Sequence, residues 1–229
     1  MPISSVSSSR DASLADRTMT RFTVDTIRAF VPTERRPYEC ALVYPAVFSN
    51  RQCDRILEHT AGLSTDDAHV GDGLAGVHHD AGIRRARIAW IPADDSSGWI
   101  YDKLAAIVGR ANRSYGFDLI GFTEDLQFTD YSDAGAFYTW HQDGLDGDLA
   151  VRKLSMVVQL SDPDDYDGGE LEFFALDGDE SDAASDRRAL MRRRGTVVVF
   201  PAFEYHRVTP LLSGTRRSLV CWIGGPPFR

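Results

Sequence analysis

Cysteine and long apolar segments are both scarce in this sequence. Only Cys40, Cys53 and Cys221 occur among 229 residues, and no two of them form a CxxC pair. Their spacing indicates neither a disulfide framework nor a cysteine-based zinc site, so we expect three reduced, mostly buried thiols. No apolar run reaches the roughly 18 residues of a membrane span, and the N-terminus lacks the apolar stretch of a signal peptide. These features favour a cytoplasmic protein without a membrane partner.

Positive charge is also in short supply, because 25 basic residues face 34 acidic ones. A surface that binds nucleic acid needs a basic excess, so the net charge of -9 argues against nucleic acid as the main partner. The length is sufficient for one well-buried domain. We therefore expect a single domain over residues 21–229, preceded by a flexible, Ser- and Asp-rich N-terminal arm over residues 1–20. No feature indicates an oligomeric state.

Two helices are predicted in the first half of the chain. Ser49 or Asn50 can cap the first, which runs through Thr60 with apolar residues at helical spacing. The second covers about 98–114, where apolar residues recur at three- and four-residue steps. A long Gly- and Asp-rich loop, residues 64–84, lies before it. Long loops in compact domains tend to be lids or binding loops, so this one is a candidate for substrate contact.

From residue 118 onward the pattern changes to short strand-like runs separated by turns rich in Gly, Asp and Pro. The runs lie at 119–131, 136–140, 153–161, 170–175, 196–200, 205–210 and 217–223. Several short strands at such spacing indicate a β-sandwich or barrel. We predict a mainly β fold with flanking helices, a double-stranded β-helix or jelly-roll with its core at about 118–225. An acidic stretch and the arginines that follow it, within 161–194, are expected to form a solvated hairpin insertion.

His141 and Asp143 are candidate metal ligands. Side chains two apart in an extended chain point to the same face, so the imidazole and the carboxylate converge. His206, the only histidine downstream, is the expected third ligand. Two histidines and one carboxylate leave three positions of an octahedral ion open, which is the arrangement of non-haem Fe(II) oxygenases. A rival cluster, His78-His79-Asp80, lies on a loop where adjacent side chains diverge.

A strand near the C-terminus carries two adjacent arginines. Period-two alternation places Arg216 on one face and Arg217 on the other, so one guanidinium can point inward while its neighbour points to water. A buried guanidinium needs a carboxylate partner, which the distal carboxylate of 2-oxoglutarate would supply. The same alternation predicts that Tyr138 and Trp140 lie on the face opposite His141 and serve core packing.

These residues together resemble a known family. His141-x-Asp143, then His206, then Arg216 ten residues later is similar to the prolyl-4-hydroxylase-like branch of the Fe(II)/2-oxoglutarate oxygenases. Segments 112–131, 153–172 and 195–222 extend the likeness, in particular to the bacterial PKHD-type hydroxylases. The resemblance covers roughly residues 85–223, and the first forty residues match no family.

The resemblance implies a role for each matching residue. His141, Asp143 and His206 match the family's iron ligands. Arg216 matches the residue that pairs with the C5 carboxylate of 2-oxoglutarate, with Arg217 as the competing choice. The last two residues matched are Tyr131, which corresponds to a tyrosine that assists that carboxylate, and Gln159, where some relatives place a residue lining the cosubstrate pocket.

The implied activity is that of a dioxygenase that uses Fe(II), 2-oxoglutarate and O2 and releases succinate and CO2. Its expected substrate is an unactivated C–H bond of an amino acid, a peptidyl side chain or a small metabolite. Asp143 argues against a halogenase, in which a small residue replaces the carboxylate ligand. Desaturation, epoxidation or cyclisation at the same iron, a non-catalytic jelly-roll binding module and a zinc enzyme stay open as alternatives.

Overall fold

The computed structural model describes residues 38–68, 80–144 and 147–228. The predicted arm over residues 1–20, the centre of the 64–84 loop and the pair His78-His79 lie outside these ranges. The described residues form three α-helices, α1 (Asn50–Ala61), α2 (Gly98–Tyr115) and α3 (Asp182–Arg192). They also form the strands β1 (Leu42–Tyr44), β2 (Asp66–Asp67), β3 (Arg84–Arg85), β4 (Arg87–Ile91), β5 (Gly121–Phe122), β6 (Leu126–Tyr131), β7 (Phe137–His141), β8 (Arg152–Gln159), β9 (Tyr166–Gly168), β10 (Leu171–Phe173), β11 (Val197–Pro201), β12 (His206–Val208), β13 (Leu211–Gly214) and β14 (Arg216–Gly224).

The first two helices begin and end as their sequences predict. A capping box opens α1: the Ser49 side chain accepts a hydrogen bond from the backbone N–H of Gln52, and the Gln52 side chain accepts one from the backbone N–H of Ser49. Gly116 ends α2 with a φ of 71°, a left-handed conformation that glycine adopts without strain. Both predicted helices are confirmed.

A large antiparallel sheet forms the centre of the domain. Its strand order is β1-β11-β8-β14-β6-β4-β2, and the short strand β5 pairs with the end of β14. Strand β14 is the middle of this sheet, because it pairs with β8 on one side and with β6 on the other.

The two faces of the large sheet differ in polarity. Its outer face is apolar, and Leu219 and Cys221 of β14 are buried there in one cluster with Ile56 of α1 and Leu104 of α2. The alternate residues point to the inner face, which carries buried polar side chains instead. They include Gln127, Thr129, Ser155, Gln159, Arg216 and Ser218. Such an interior requires polar ligands or internal hydrogen bonds.

A second sheet, with the order β10-β12-β7-β3, covers the inner face. The ring of Phe173 on β10 packs edge-to-face against Phe200 on β11, with centroids 4.9 Å apart. The polar interior therefore lies between two antiparallel sheets, as the predicted jelly-roll requires.

The insertion at 161–194 is more ordered than the predicted solvated hairpin. It contains the short strands β9 and β10 and then α3, whose N-cap Ser181 accepts a hydrogen bond from the backbone of Ala184. Arg192 at the end of α3 forms an ion pair with Glu170 and donates to the carbonyl of Tyr166 at 3.0 Å. The acidic residues before and at the start of α3 were interpreted as part of a solvated hairpin, so the sequence analysis did not predict this helix.

Across the described ranges, none of the helices combines the length and the hydropathy that a bilayer crossing requires.

We expect Leu104→Ala to lower the free energy of unfolding by about 2–5 kcal/mol, because it leaves a cavity where α2 packs on the large sheet. Leu104 is fully buried, with 0% of its surface exposed. Leu212→Ala is the control: Leu212 is 66% exposed, so the same truncation should change stability by less than about 0.5 kcal/mol. Urea unfolding monitored by circular dichroism measures both, and equal losses would contradict this description of the core.

Candidate metal centre

Three side chains meet between the two sheets. His141 ends β7, Asp143 follows it by two residues, and His206 begins β12, where it is paired directly with His141. Nε2 of His141 lies 3.6 Å from one carboxylate oxygen of Asp143, and Nε2 of His206 lies 3.7 Å from the other. One ligand atom from each residue lies within 4.8 Å of the other two. The structure thus brings together the three residues that the sequence singled out.

Both imidazoles present the same nitrogen to this centre. Nδ1 of His141 lies 2.8 Å from the carbonyl oxygen of Thr139, and Nδ1 of His206 lies 2.9 Å from that of Glu204. A carbonyl only accepts, so each Nδ1 carries the proton and donates it. Each Nε2 therefore keeps a free lone pair, which is the form that binds a metal ion.

The surroundings of Asp143 suit a bound cation. The residue is buried, and its Oδ2 has no hydrogen-bond partner. Burial alone would raise the pKa of the Asp143 carboxyl, but His206, His141 and Arg152 together hold it below its usual value. A buried carboxylate without a hydrogen bond is costly unless an ion compensates it. An octahedral cation at the shared point of the three side chains would do so.

The protonation of His141 also favours metal binding. Burial, reinforced by the neighbouring His206, lowers the pKa of His141 to about 3. The imidazole is therefore neutral at physiological pH, and protons compete little with a metal ion for it.

Arg152 on β8 supports the Asp143 loop. Its Nη1 donates to the backbone carbonyl of Asp143 at 2.8 Å, and its Nε donates to Glu124 at 2.6 Å. The guanidinium also lies over the indole ring of Trp222, 3.8 Å from its centroid. Glu124 neutralises the charge of Arg152, so this arginine orients the loop without adding net charge to the interior.

The predicted position of Tyr138 is wrong. Its ring stacks on that of His141 at a centroid distance of 3.5 Å, so both side chains lie on the same side of β7. The cause is a β-bulge: His206 pairs with His141, but Val208, two residues on, pairs with Tyr138, three residues back. Sequence alternation assumes a regular strand and cannot locate a bulge. Burial raises the pKa of Tyr138 to about 12, so its hydroxyl stays protonated.

The two adjacent arginines of β14 point to opposite sides. Arg216 is 2% exposed and forms no salt bridge with any described carboxylate. Arg217 is partly exposed and forms an ion pair with Asp130 at 2.8 Å. Tyr131 is buried directly across the sheet from Arg216, whose guanidinium lies 5.3 Å from the tyrosine ring centroid. A buried guanidinium without a carboxylate fits an anionic ligand.

Tyr166 on β9 was missed by the sequence reading. Its hydroxyl accepts a hydrogen bond from Gln159 at 2.8 Å. Burial raises the pKa of Tyr166, and the nearby charge of Arg216 partly offsets this. Gly169 makes room for the arginine, because a Cβ there would lie 3.1 Å from Cδ of Arg216. Tyr166, Gln159 and Arg216 thus form one polar group on the inner face, contributed by three strands and undetectable by spacing.

The other candidates lie elsewhere or have partners. Asp80, the described member of the rival cluster, accepts a hydrogen bond from the backbone of Gly82. Among the arginines of the insertion, Arg187 pairs with Glu39 and Arg194 pairs with Asp54. These contacts tie the insertion to the first strands and α1.

A family model matches the part of the chain that contains the candidate metal ligands. The model described as "2OG-Fe(II) oxygenase superfamily" matches residues 126–224, from β6 to β14. This stretch contains His141, Asp143, His206 and Arg216. Residues 126–224 of the chain are therefore similar to the 2OG-Fe(II) oxygenase superfamily.

Several proteins similar to part of the chain are PKHD-type hydroxylases. One from Synechococcus sp. strain CC9902 is 35% identical over 92 residues, which cover 40% of this chain and 38% of that protein. Another, from Synechococcus sp. strain CC9311, is 26% identical over 183 residues, 77% of this chain and 74% of that protein. The chain thus spans less than half the length of the first of these relatives.

A solved structure of another protein shares the fold. It is a prolyl hydroxylase in complex with a hypoxia inducible factor oxygen degradation domain peptide fragment, from Trichoplax adhaerens. The TM-score is 0.63 at 16% sequence identity, and the likeness covers 81% of this chain and 83% of that one. The predicted jelly-roll is confirmed.

We expect acid to destabilise the metal-free protein through His141. The unfolded chain takes up a proton at a pKa of 6.5, but burial lowers this to about 3 in the folded state. The stability that this residue contributes is complete above pH 6.5 and is lost as the pH falls toward 3, by up to about 1.4 kcal/mol per pH unit. Urea unfolding with a chelator at pH 7, 6 and 5 measures the loss. The His141→Gln variant should lose less over this range, and equal losses would contradict the proposed burial of a neutral imidazole.

Proposed function

We propose that the protein is an Fe(II)- and 2-oxoglutarate-dependent dioxygenase that hydroxylates an unactivated C–H bond. The observation that supports the proposal is that two groups between the sheets, a buried carboxylate and a buried guanidinium, both lack a partner of opposite charge that would form a salt bridge with them. A carboxylate with two neutral imidazoles lies on one side, and an unpaired guanidinium lies on β14. Fe(II) fits the first and a dicarboxylate fits the second, and the description of the family model that matches residues 126–224 names both Fe(II) and 2-oxoglutarate.

His141, Asp143 and His206 would hold the iron. Their ligand atoms belong to neutral imidazoles and an ionised carboxylate, as a divalent ion requires. The hydrogen bonds to Thr139 and Glu204 fix the imidazole rings. Orientation of this kind is what outer-sphere partners supply at metal centres.

Arg216 would bind the distal carboxylate of 2-oxoglutarate, with Tyr131 beside it across the sheet. Tyr166 and Gln159 extend the same polar group and would fix the guanidinium. Because the pocket is buried, a charge-assisted pair there is much stronger than a surface pair.

When bound, iron and 2-oxoglutarate with O2 supply the oxidising power for hydroxylation, with release of succinate and CO2. The chain supplies position and a dry site. Tyr138 shields one face of the His141 ring, and Arg152 keeps Asp143 in place. The presence of Asp143 supports hydroxylation over halogenation, and desaturation, epoxidation or cyclisation at the same iron is the second candidate.

The substrate classes that we propose are an amino acid, a peptidyl side chain or a small metabolite. The peptide bound by the Trichoplax prolyl hydroxylase supports the peptidyl class. We also propose one oxygenase domain over residues 21–229, acting in the cytoplasm. The buried free thiols of Cys40, Cys53 and Cys221 are those expected of a reducing compartment.

We expect the protein, purified without oxygen and given Fe(II) and 2-oxoglutarate, to develop a weak visible charge-transfer band at about 500–530 nm. His141→Ala should remove the band by removing a ligand, and Arg216→Gln should weaken 2-oxoglutarate binding by about tenfold or more. Titration of 2-oxoglutarate against the band measures both effects.

Arg217→Gln is the matched control, because it neutralises the adjacent arginine on the outward side and should leave the titration unchanged. Absence of the band at full iron loading would refute the dioxygenase proposal and favour a zinc enzyme or a binding module. An equal loss in the Arg216 and Arg217 variants would refute the assigned cosubstrate pocket.

A further inference from the structure

A second buried arginine lies beside the metal centre. Arg84 on β3 is 7% exposed and extends from the small sheet to the inner face of the large one. Its Nη2 donates to the side-chain oxygen of Gln127 at 2.7 Å. Its guanidinium carbon lies 4.7 Å from the ring centroid of Tyr138, which stacks on His141. Arg84 is thus one aromatic ring away from a proposed iron ligand.

The bonding of Arg84 is incomplete. Its Nε is buried without a hydrogen-bond partner, and no described carboxylate forms a salt bridge with it. Gln127 is neutral, so it accepts a hydrogen bond from the Arg84 guanidinium but does not balance its positive charge. An uncompensated buried guanidinium is costly, so its presence calls for an anionic partner.

Other donors of the same interior are also unsatisfied. Ser155 and Trp222 lie opposite each other on β8 and β14, and the Ser155 hydroxyl and Trp222 Nε1 are both buried without partners. Trp222 contacts Arg152, which binds the carbonyl of Asp143. Within the described residues, Nε of Arg84 and Nε1 of Trp222 are therefore buried donors near the metal centre without an acceptor.

The charge of Arg84 is not needed to balance the iron or the cosubstrate. Asp143 offsets one charge of Fe(II), while the other metal charge and Arg216 offset the two carboxylates of 2-oxoglutarate. Glu124 neutralises Arg152. With iron and cosubstrate bound, Arg84 is the remaining uncompensated charge among the described groups around the site. Because none of the described groups balances this charge, we infer that the substrate does.

We propose that Arg84 binds a carboxylate of the substrate, so that the substrate carries a free carboxylic acid, as an amino acid does. This inference rests on the proposed dioxygenase function and narrows its substrate classes. Arg84 is a specificity residue in this role: it holds the acid while a C–H bond of the same molecule faces the metal centre.

The strand itself offers a matched control. Arg85 is next to Arg84 on β3 but is exposed, and its guanidinium lies on the far side of the strand, 3.5 Å from the carbonyl of Ala134. Replacing either arginine by glutamine removes the same charge from the same strand. Only the inner replacement should affect a ligand beside the metal centre.

The test uses acetate and acetamide, which share their shape and differ in charge. The protein is loaded with Fe(II) and 2-oxoglutarate without oxygen, so that Arg216 is occupied. Each probe is titrated at constant ionic strength, and binding is followed by tryptophan fluorescence and by the visible band. We expect acetate to bind at least about tenfold more tightly than acetamide.

The variants assign this preference. Arg84→Gln should lower acetate affinity by about tenfold or more and leave acetamide unaffected, Arg84→Lys should keep part of the preference, and Arg85→Gln should keep all of it. Equal binding of the two probes, no binding of either, or an equal loss in the Arg84 and Arg85 glutamine variants would overturn the proposal. If Arg84→Gln fails to fold, Arg84→Lys decides: acetate affinity unchanged from the wild type would overturn the assignment.

The two proposals fail differently. If the wild-type protein gives no visible band, the dioxygenase function is wrong, and the acetate preference is still measured by fluorescence. If the band forms and acetate binds no better than acetamide, the dioxygenase function stands and only the Arg84 assignment is wrong.

Discussion

Burial of charged groups between two sheets is the constraint on which the rest of this structure depends. Arg216 and Arg84 are buried without a salt bridge to a described carboxylate, and Asp143 is buried between two imidazoles without a salt bridge to a described arginine or lysine. Such groups are tolerated only where the surrounding fold is stable enough to hold them. That stability comes from the other face of the large sheet, where side chains of α1 and α2, including Leu104, form a continuous apolar core with the strands. One face of β14 thus stabilises the domain while the other provides the ligand-binding groups.

Because of the same constraint, different charged groups of the interior are available for different ligands. The metal centre requires one negative charge and neutral imidazoles, and the hydrogen bonds from Nδ1 to backbone carbonyls ensure that both imidazoles present Nε2. The proposed cosubstrate pocket would require a positive charge at a distance from the metal centre, which Arg216 on β14 would supply. Arg84 adds a third charged group from the opposite sheet. The three proposed ligands would therefore not compete directly for the same side chain.

Much of this could be predicted from the sequence because it depends on local periodicity. Two-residue spacing predicted that His141 and Asp143 converge and that Arg216 and Arg217 diverge, and helical spacing predicted α1 and α2. Features that depend on contacts between distant segments were not predictable. The β-bulge between Tyr138 and His141 arises from pairing with β12, and α3 was concealed by acidic residues. Arg84 and Tyr166 belong to strands too short to show a pattern.

The sequence by itself determined the candidate metal ligands, the helices α1 and α2, the strand-rich half and the inward direction of Arg216, because residue chemistry and periodicity act over a few residues. Only the tertiary structure decided that His206 lies opposite His141, that Tyr138 stacks on the imidazole, and that Arg84 reaches Gln127 across the interior. These contacts join segments tens of residues apart. Their geometry follows from how the two sheets pair and face each other, which no local pattern in the chain encodes.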